Sequence, residues 1–112
     1  MYAAPPLVTE EPVMLININR LFERGLSHEE LYDATRKSWV VGERRYKAKY
    51  AIATFRGITR EIYRIRNWYQ MENRWAFDGE VADEEIRGAL RYKMITGFNK
   101  RGAANPIRYL NC

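Results

Sequence analysis

Cysteine and histidine are nearly absent from this chain of 112 residues, which holds one of each, Cys112 and His28. A single cysteine cannot form an internal disulfide, which is typical of proteins from a reducing compartment, so we expect a cytoplasmic protein. One histidine and one terminal cysteine are also too few for a zinc site of the usual ligand types. His28 falls at the first position of a predicted helix, where we expect it to be exposed to solvent.

Long apolar stretches are missing as well. No run approaches the ~20 apolar residues that a membrane-spanning helix needs, and the first residues lack the charged region and apolar core of a secretion signal. We therefore expect no membrane partner. The composition is otherwise that of a globular protein, with 46% hydrophobic and 29% charged residues, which argues against a disordered or fibrous chain.

The sequence motifs of catalysis and cofactor binding are absent too. The chain contains no P-loop, no Gly-x-Gly-x-x-Gly, no Gly-x-Ser-x-Gly and no Cys/His nucleophile pair. Paired carboxylates at 29–30 and 84–85 fall in the first turns of predicted helices, where capping and the helix dipole account for them. We therefore predict no catalytic residue, no cofactor and no metal. A hydrolase that uses the carboxylates of Asp78 and Glu80 is the enzymatic alternative.

Positive charge is plentiful and unevenly distributed. The net charge is +5, and residues 44–74 alone contain nine basic and two acidic residues. A concentrated basic segment favours an anionic partner, which can be nucleic acid, a nucleotide or an acidic protein. The alternative is a basic sheet face that contacts only solvent.

The pattern of apolar and turn residues predicts the order β-α-β-β-β-β-α-β. Residues 1–12 contain three prolines and are predicted to form a flexible arm before a single domain at 13–112. A capping box at Ser27 and Glu30 starts the first helix, and Asp83 starts the second. The other predicted elements are strands at 13–19, 39–41, 49–55, 58–65, 74–77 and 107–110, with a two-residue turn at Arg56-Gly57.

These elements predict an α+β fold in which a small, curved, barrel-like sheet of about five to six strands is packed by two helices. Ile86, Leu90 and Met94 are predicted to form the inward stripe of the second helix. Strict alternation after Gly57 would place Arg60, Arg64 and Arg66 on one face of a strand that ends at Trp68.

Aromatic and basic side chains at the ends of predicted strands are the candidate ligand contacts. Tryptophan can stack on a base, and arginine can pair with a phosphate through two hydrogen bonds. Packing in the core is the competing explanation for each tryptophan. Two loops rich in hydrogen-bond donors, at 42–47 and 99–106, add further candidates. The candidate ligand-binding residues are Trp39, Arg44, Arg45, Tyr50, Arg60, Arg64, Trp68, Trp75, Arg101 and Asn105.

Several short segments together resemble a family of small bacterial and phage domains with PUA-like folds, the group that includes the EVE, ASCH and YTH modules. The segments are Trp39, Gly42-x-Arg44-Arg45, Ala48–Ala53, Gly57–Tyr63, Trp68 and Asn105–Tyr109. The resemblance implies a curved β-barrel that binds a modified base or a nucleotide in an aromatic pocket. It further implies that Trp39, Trp68 or Trp75 line that pocket while Arg44, Arg45 and Arg60 face phosphate.

Two functions follow as expectations. The first is a non-catalytic module that binds nucleic acid or a nucleotide in a pocket of aromatic and arginine side chains. The second is a phage anti-defence protein that sequesters a nucleotide signal, or blocks a host defence protein, in the cytoplasm of a bacterial or phage-infected cell. A homo-oligomer with ligands at subunit interfaces would suit the second function.

Overall fold

Five strands and two α-helices make up the part of the chain that the computed structural model describes, namely residues 4–18, 27–37, 39–95 and 107–112. In chain order the elements are β1 (Val13–Asn17), α1 (His28–Arg36), a 3₁₀ helix (Glu43–Lys47), β2 (Tyr50–Phe55), β3 (Ile58–Met71), β4 (Arg74–Val81), α2 (Glu84–Leu90) and β5 (Ile107–Leu110). The predicted α+β class is therefore confirmed. None of the helices described is long and apolar enough to cross a membrane.

The strands form one mixed sheet in the order β4-β3-β2-β1-β5. Only β1 and β2 run parallel, and the other neighbours are antiparallel. The described strands number five, within the predicted five to six, and they are not closed into a barrel. Closure would require β4 to pair with β5, but Trp39 already exchanges two main-chain hydrogen bonds with Trp75 of β4, at 2.8 and 3.0 Å.

Two β-bulges interrupt β3. The register with β2 shifts around Arg60, and the register with β4 shifts around Arg66, so each of these arginines is an extra residue in the strand. A bulge moves the following side chains to the opposite face. The predicted single row of Arg60, Arg64 and Arg66 is therefore wrong. Arg66 instead pairs with Glu80, the shortest distance between their charged atoms being 2.6 Å.

Helices cover both faces of the sheet, and the alternation of strand side chains divides the core accordingly. On one face, Met14 and Ile16 of β1 belong to the same cluster as Leu31 of α1. On the opposite face, Leu15 packs in a second cluster that includes Leu90 of α2. Strands buried on both sides explain why the predicted first strand is almost wholly apolar.

Both helices begin where the sequence predicts. Ser27 Oγ accepts from the main-chain N–H of Glu30, while a Glu30 carboxylate oxygen accepts from the N–H of Ser27, which confirms the capping box. Asp83 caps α2 by a single hydrogen bond, in which its carboxylate accepts from the main-chain N–H of Ile86. Met94 was predicted to lie on α2 and does not, because that helix ends at Leu90.

The segment after α2 is extended and lies between two other stretches of main chain. On one side Met94 pairs with Ile58 at the start of β3. On the other side, the Met94 N–H donates to the Pro5 carbonyl and the Leu7 N–H donates to the Met94 carbonyl, both at 2.7 Å. Residues 5–7 are thereby attached to the sheet through the segment around Met94.

One carboxylate, that of Glu61 on β3, is buried, with 1% of its side chain exposed. Two hydrogen bonds from Arg87 of α2, at 2.8 and 2.9 Å, satisfy its two oxygens. The Ile62 N–H adds a third hydrogen bond at 3.0 Å, and the Arg91 guanidinium lies 3.9 Å away. This ion pair fixes α2 to β3.

Acid should weaken the fold through this same carboxylate. Burial alone would raise the pKa of Glu61, but the Arg87 hydrogen bonds, the Ile62 N–H and the nearby guanidinium charges outweigh it and hold the pKa below 4.5. A lowered pKa stabilises the folded state above the unfolded-state pKa, and this contribution is lost as the pH falls through the folded-state pKa. We expect unfolding free energy, measured by urea titration between pH 7 and 3, to fall less steeply below pH ~4.5 in Glu61→Gln than in the wild type. Equal slopes in the two proteins would contradict this assignment.

Candidate functional site

Four of the predicted ligand residues meet at one end of the sheet: Trp39, Arg44, Arg45 and Trp75. The main-chain pairing of Trp39 with Trp75 anchors the chain after α1 to the edge of β4. The indole N–H of Trp39 donates to the carbonyl of Thr35 at 2.7 Å, which fixes its ring at the end of α1. The chain then turns at Gly42 into the 3₁₀ helix that carries the two arginines.

Arg45 lies between two aromatic rings. Its guanidinium carbon is 3.5 Å from the centre of the Trp75 ring and 4.2 Å from that of Tyr46. It donates to the Gly42 carbonyl at 2.6 Å and to the Tyr46 hydroxyl at 2.8 Å. We call Trp75, Arg45 and Tyr46 the Tyr46 stack. Cation–π contacts at such distances are worth about 2 kcal/mol when desolvated.

The charge within the Tyr46 stack is buried but has no counter-ion in the described part of the chain. Arg45 is only 6% exposed, and no described carboxylate forms a salt bridge with it. Buried charges are ordinarily paired with an opposite charge. Here the two aromatic rings, the Gly42 carbonyl and the Tyr46 hydroxyl take the place of a carboxylate.

A second arginine extends the positive surface beside the stack. Arg44 donates to the main-chain oxygen of Cys112 at 2.8 Å, and its guanidinium lies 4.8 Å from the centre of the Tyr109 ring. Burial is the main cause that raises the pKa of the Tyr109 hydroxyl, and the negative charge at Cys112 raises this pKa further. That hydroxyl is buried and finds no hydrogen-bond partner among the described residues. Lys47, in the same 3₁₀ helix, is exposed.

Tyr46 is the outer member of the stack and is 61% exposed, although it contacts Arg45. Its ring is therefore held in a fixed orientation and still offers surface to solvent. Such an arrangement suits a nucleobase, because aromatic rings stack on every base type and the neighbouring cations can contact the phosphates. Tyr46 lies in the predicted loop at 42–47 but was not among the ten candidate ligand-binding residues, although it directly follows the Arg44-Arg45 pair.

The remaining predicted residues lie elsewhere. Tyr50 is buried on the α2 face of the sheet, opposite the exposed Arg64 on β3. Trp68 packs in the α1-side core, with its ring 5.4 Å from that of Phe77, so core packing accounts for this tryptophan. Arg60 lies at the other end of β3, where its guanidinium donates to the Phe55 carbonyl at 3.1 Å. Arg101 and Asn105 lie outside the described residues.

Arg60 lines a cavity of about 390 Å³ together with Ala4, Ile58 and Tyr92. This cavity is far from the Tyr46 stack. Gln70, which pairs with Trp75, follows Arg60 by ten residues on β3. At ~3.3 Å per strand residue the two sites are roughly 30 Å apart.

The carboxylates offer little that resembles a catalytic or metal site. No group of three histidine, cysteine or acidic side chains in the described segments is arranged to hold a metal ion. Of the two candidate hydrolase carboxylates, Glu80 accepts two hydrogen bonds from Arg66, at 2.6 and 3.1 Å. Asp78 lies on the exposed face of β4.

Comparison of the chain with protein-family models, with curated proteins and with solved structures finds no match. No comparison identifies a PUA-like family, so this resemblance stays a prediction. The described residues offer two sites to a ligand, one with a stacked cation and an exposed ring, the other with an arginine in a cavity.

Proposed function

We propose that this protein is a non-catalytic module that binds single-stranded nucleic acid at the Tyr46 stack. The observation that carries the proposal is the exposed Tyr46 ring with the buried Arg45 guanidinium behind it, to which no described carboxylate forms a salt bridge. A base stacked on Tyr46 would lie next to this positive charge. Stacking of this kind is worth about 1–3 kcal/mol per base.

The phosphates of the bound strand would contact the exposed cations of the same 3₁₀ helix, Arg44 and Lys47. Arg44 is held in place by its hydrogen bond to Cys112, so part of its conformational entropy is already lost before the ligand binds. An unpaired or flipped base suits the Tyr46 stack better than a duplex, because a base within a duplex has no free face. The ligand would therefore be single-stranded or locally opened.

In its more detailed form, the proposal includes the PUA-like resemblance. The protein would then be a module that reads one base between aromatic and arginine side chains. In that case Trp39 and Trp75 would support the ligand-binding wall from behind. A cytoplasmic location and association into a homo-oligomer are further parts of the proposal. Sequestering of a small nucleotide, the anti-defence alternative, would use the cavity at Arg60 rather than the Tyr46 stack.

Replacing Tyr46 should separate the contribution of stacking to the binding affinity from the contribution of charge. We expect Tyr46→Ala to weaken the binding of a fluorescein-labelled ten-nucleotide single strand by about 5- to 150-fold, because one base–aromatic contact of ~1–3 kcal/mol is lost. Tyr46→Phe keeps the ring and should change the affinity less than threefold. Fluorescence anisotropy at moderate salt measures both constants.

The matched control for charge is Arg66→Gln, which removes one positive charge that Glu80 already compensates. We expect it to bind within twofold of the wild type. If Tyr46→Ala binds as tightly as the wild type, the Tyr46 stack is not the contact surface. If Arg66→Gln weakens binding as much as Tyr46→Ala does, or more, the binding depends on general electrostatic attraction and the proposal is wrong.

A further inference from the structure

We propose that the cavity at Arg60 is a second, independent binding site that takes a small planar ring bearing one anionic group. A nucleoside monophosphate and an aromatic carboxylate share this chemistry. The cavity volume, about 390 Å³, lies in the range of small-ligand pockets, ~300–1,000 Å³. Ala4, Ile58 and the Tyr92 ring supply apolar walls, and Arg60 supplies the charge.

The preference for an anion comes from the cations near this cavity. Burial lowers the pKa of Arg60, and the positive charge of the neighbouring Arg56 acts in the same direction. A bound anion would relieve both effects. Of the residues described as lining the cavity, Arg60 carries a positive charge and none is acidic.

The backbone at Tyr92 is an independent observation that favours a role for its side chain. Tyr92 has φ of 60°, in the left-handed region that glycine adopts most easily. Tyr92 directly follows the C-terminal cap of α2, where glycine is the usual left-handed residue, so a bulky tyrosine in its place is strained. The Tyr92 ring is 48% exposed, so burial in the core does not compensate for the strain. The Arg91 guanidinium lies 4.5 Å from the ring centre and supports it.

The walls of the cavity come from three separate parts of the chain. Ile58 begins β3, Tyr92 follows α2, and Ala4 directly precedes the segment that is hydrogen-bonded to Met94. The main-chain N–H of Tyr92 donates to the Thr59 carbonyl at 2.9 Å. The position of Tyr92 is therefore fixed by the backbone and does not depend on its side chain.

This backbone geometry allows a test by Tyr92→Gly in the full chain. Glycine relieves the strain at φ 60°, so we expect the Tm to stay equal or to rise. The four nucleoside 5′-monophosphates, the uncharged nucleosides and indole-3-carboxylate are titrated by isothermal calorimetry. We expect at least one anionic ring to bind, its uncharged counterpart to bind at least tenfold more weakly, and Tyr92→Gly to lose at least tenfold in affinity.

Arg60→Gln is the second variant and should lose binding of the anionic rings while the strand-binding constant at the Tyr46 stack stays unchanged. Monophosphates that bind more tightly than indole-3-carboxylate would identify a phosphate site, and the reverse order would identify a carboxylate site. The inference would be overturned if no anionic ring binds at millimolar concentration, or if Tyr92→Gly and Arg60→Gln bind as the wild type does. Failure of strand binding with retained ring binding would contradict only the proposal for the Tyr46 stack.

Discussion

Arg87→Ala is expected to lower the free energy of unfolding by about 3–5 kcal/mol, the usual cost of removing one partner from a buried ion pair. The cost arises because Glu61 would remain buried without its two strongest hydrogen bonds. Arg91, 3.9 Å from the same carboxylate, can replace only part of this interaction, since its Nε already donates to the Arg60 carbonyl. Urea unfolding at pH 7, followed by circular dichroism, measures the change.

A surface ion pair on the same sheet provides the control. Arg66 and Glu80 form an ion pair with a distance of 2.6 Å, similar to the 2.8 Å between Arg87 and Glu61. The side chains of Arg66 and Glu80, however, are 63% and 52% exposed. We expect Arg66→Ala to cost less than about 1 kcal/mol, because solvent screens an exposed pair. Replacing Glu61 and Arg87 together by methionine should recover most of the loss, since no buried charge is then left unpaired. Equal effects of the two alanine substitutions would show that Glu61 is not buried as described.

Gly79→Ala should cost about 3 kcal/mol or more, because the added methyl group has no room. A Cβ at this position of β4 would overlap the carbonyl oxygen of Arg64 and would lie 3.3 Å from the Phe77 ring. The carbonyl belongs to the main chain of β3 next to a bulge, so it cannot move without disturbing the strand pairing. Displacement of β4 would also break the hydrogen bond from the Gly79 N–H to the Tyr32 hydroxyl of α1.

Gly88→Ala is the matched control for this substitution. Gly88 lies within α2, and a Cβ there would have no neighbour within 4 Å. Alanine is the better helix former by about 1 kcal/mol, so Gly88→Ala should stabilise the protein by up to that amount. Thermal unfolding of both variants checks the pair of predictions. A Tm for Gly79→Ala that matches the wild-type value would contradict the close approach of β3 and β4.

The local parts of the fold could be predicted because their causes are local. The Ser27 capping box and the Asp83 cap are short-range hydrogen bonds between residues three positions apart. The turn at Arg56-Gly57 was predicted from a glycine that adopts positive φ, and both residues have it, at 53° and 74°. These features depend on a few neighbouring residues and are visible in the sequence.

The rest could not be predicted because it depends on contacts between residues far apart in the chain. The bulges at Arg60 and Arg66 are set by pairing with two different strands, and they break the alternation on which the arginine row depended. The open sheet depends on the pairing of Trp39 with Trp75, which lie 36 residues apart. The same pairing brings Arg45 against Trp75 and so creates the Tyr46 stack. The sequence predicts Arg45 and Trp75 as separate candidates but does not predict their contact.

The salt dependence of strand binding tests the proposed function most directly. Two phosphate contacts, at Arg44 and Lys47, should give a slope of roughly −1.4 in a plot of log K against log salt concentration for a single strand. Removing one contact in Arg44→Gln should make the slope shallower by about 0.7, while Tyr46→Ala should lower the affinity at every salt concentration and leave the slope unchanged. A wild-type slope near zero, or no binding of any single strand at low salt, would contradict the proposed function.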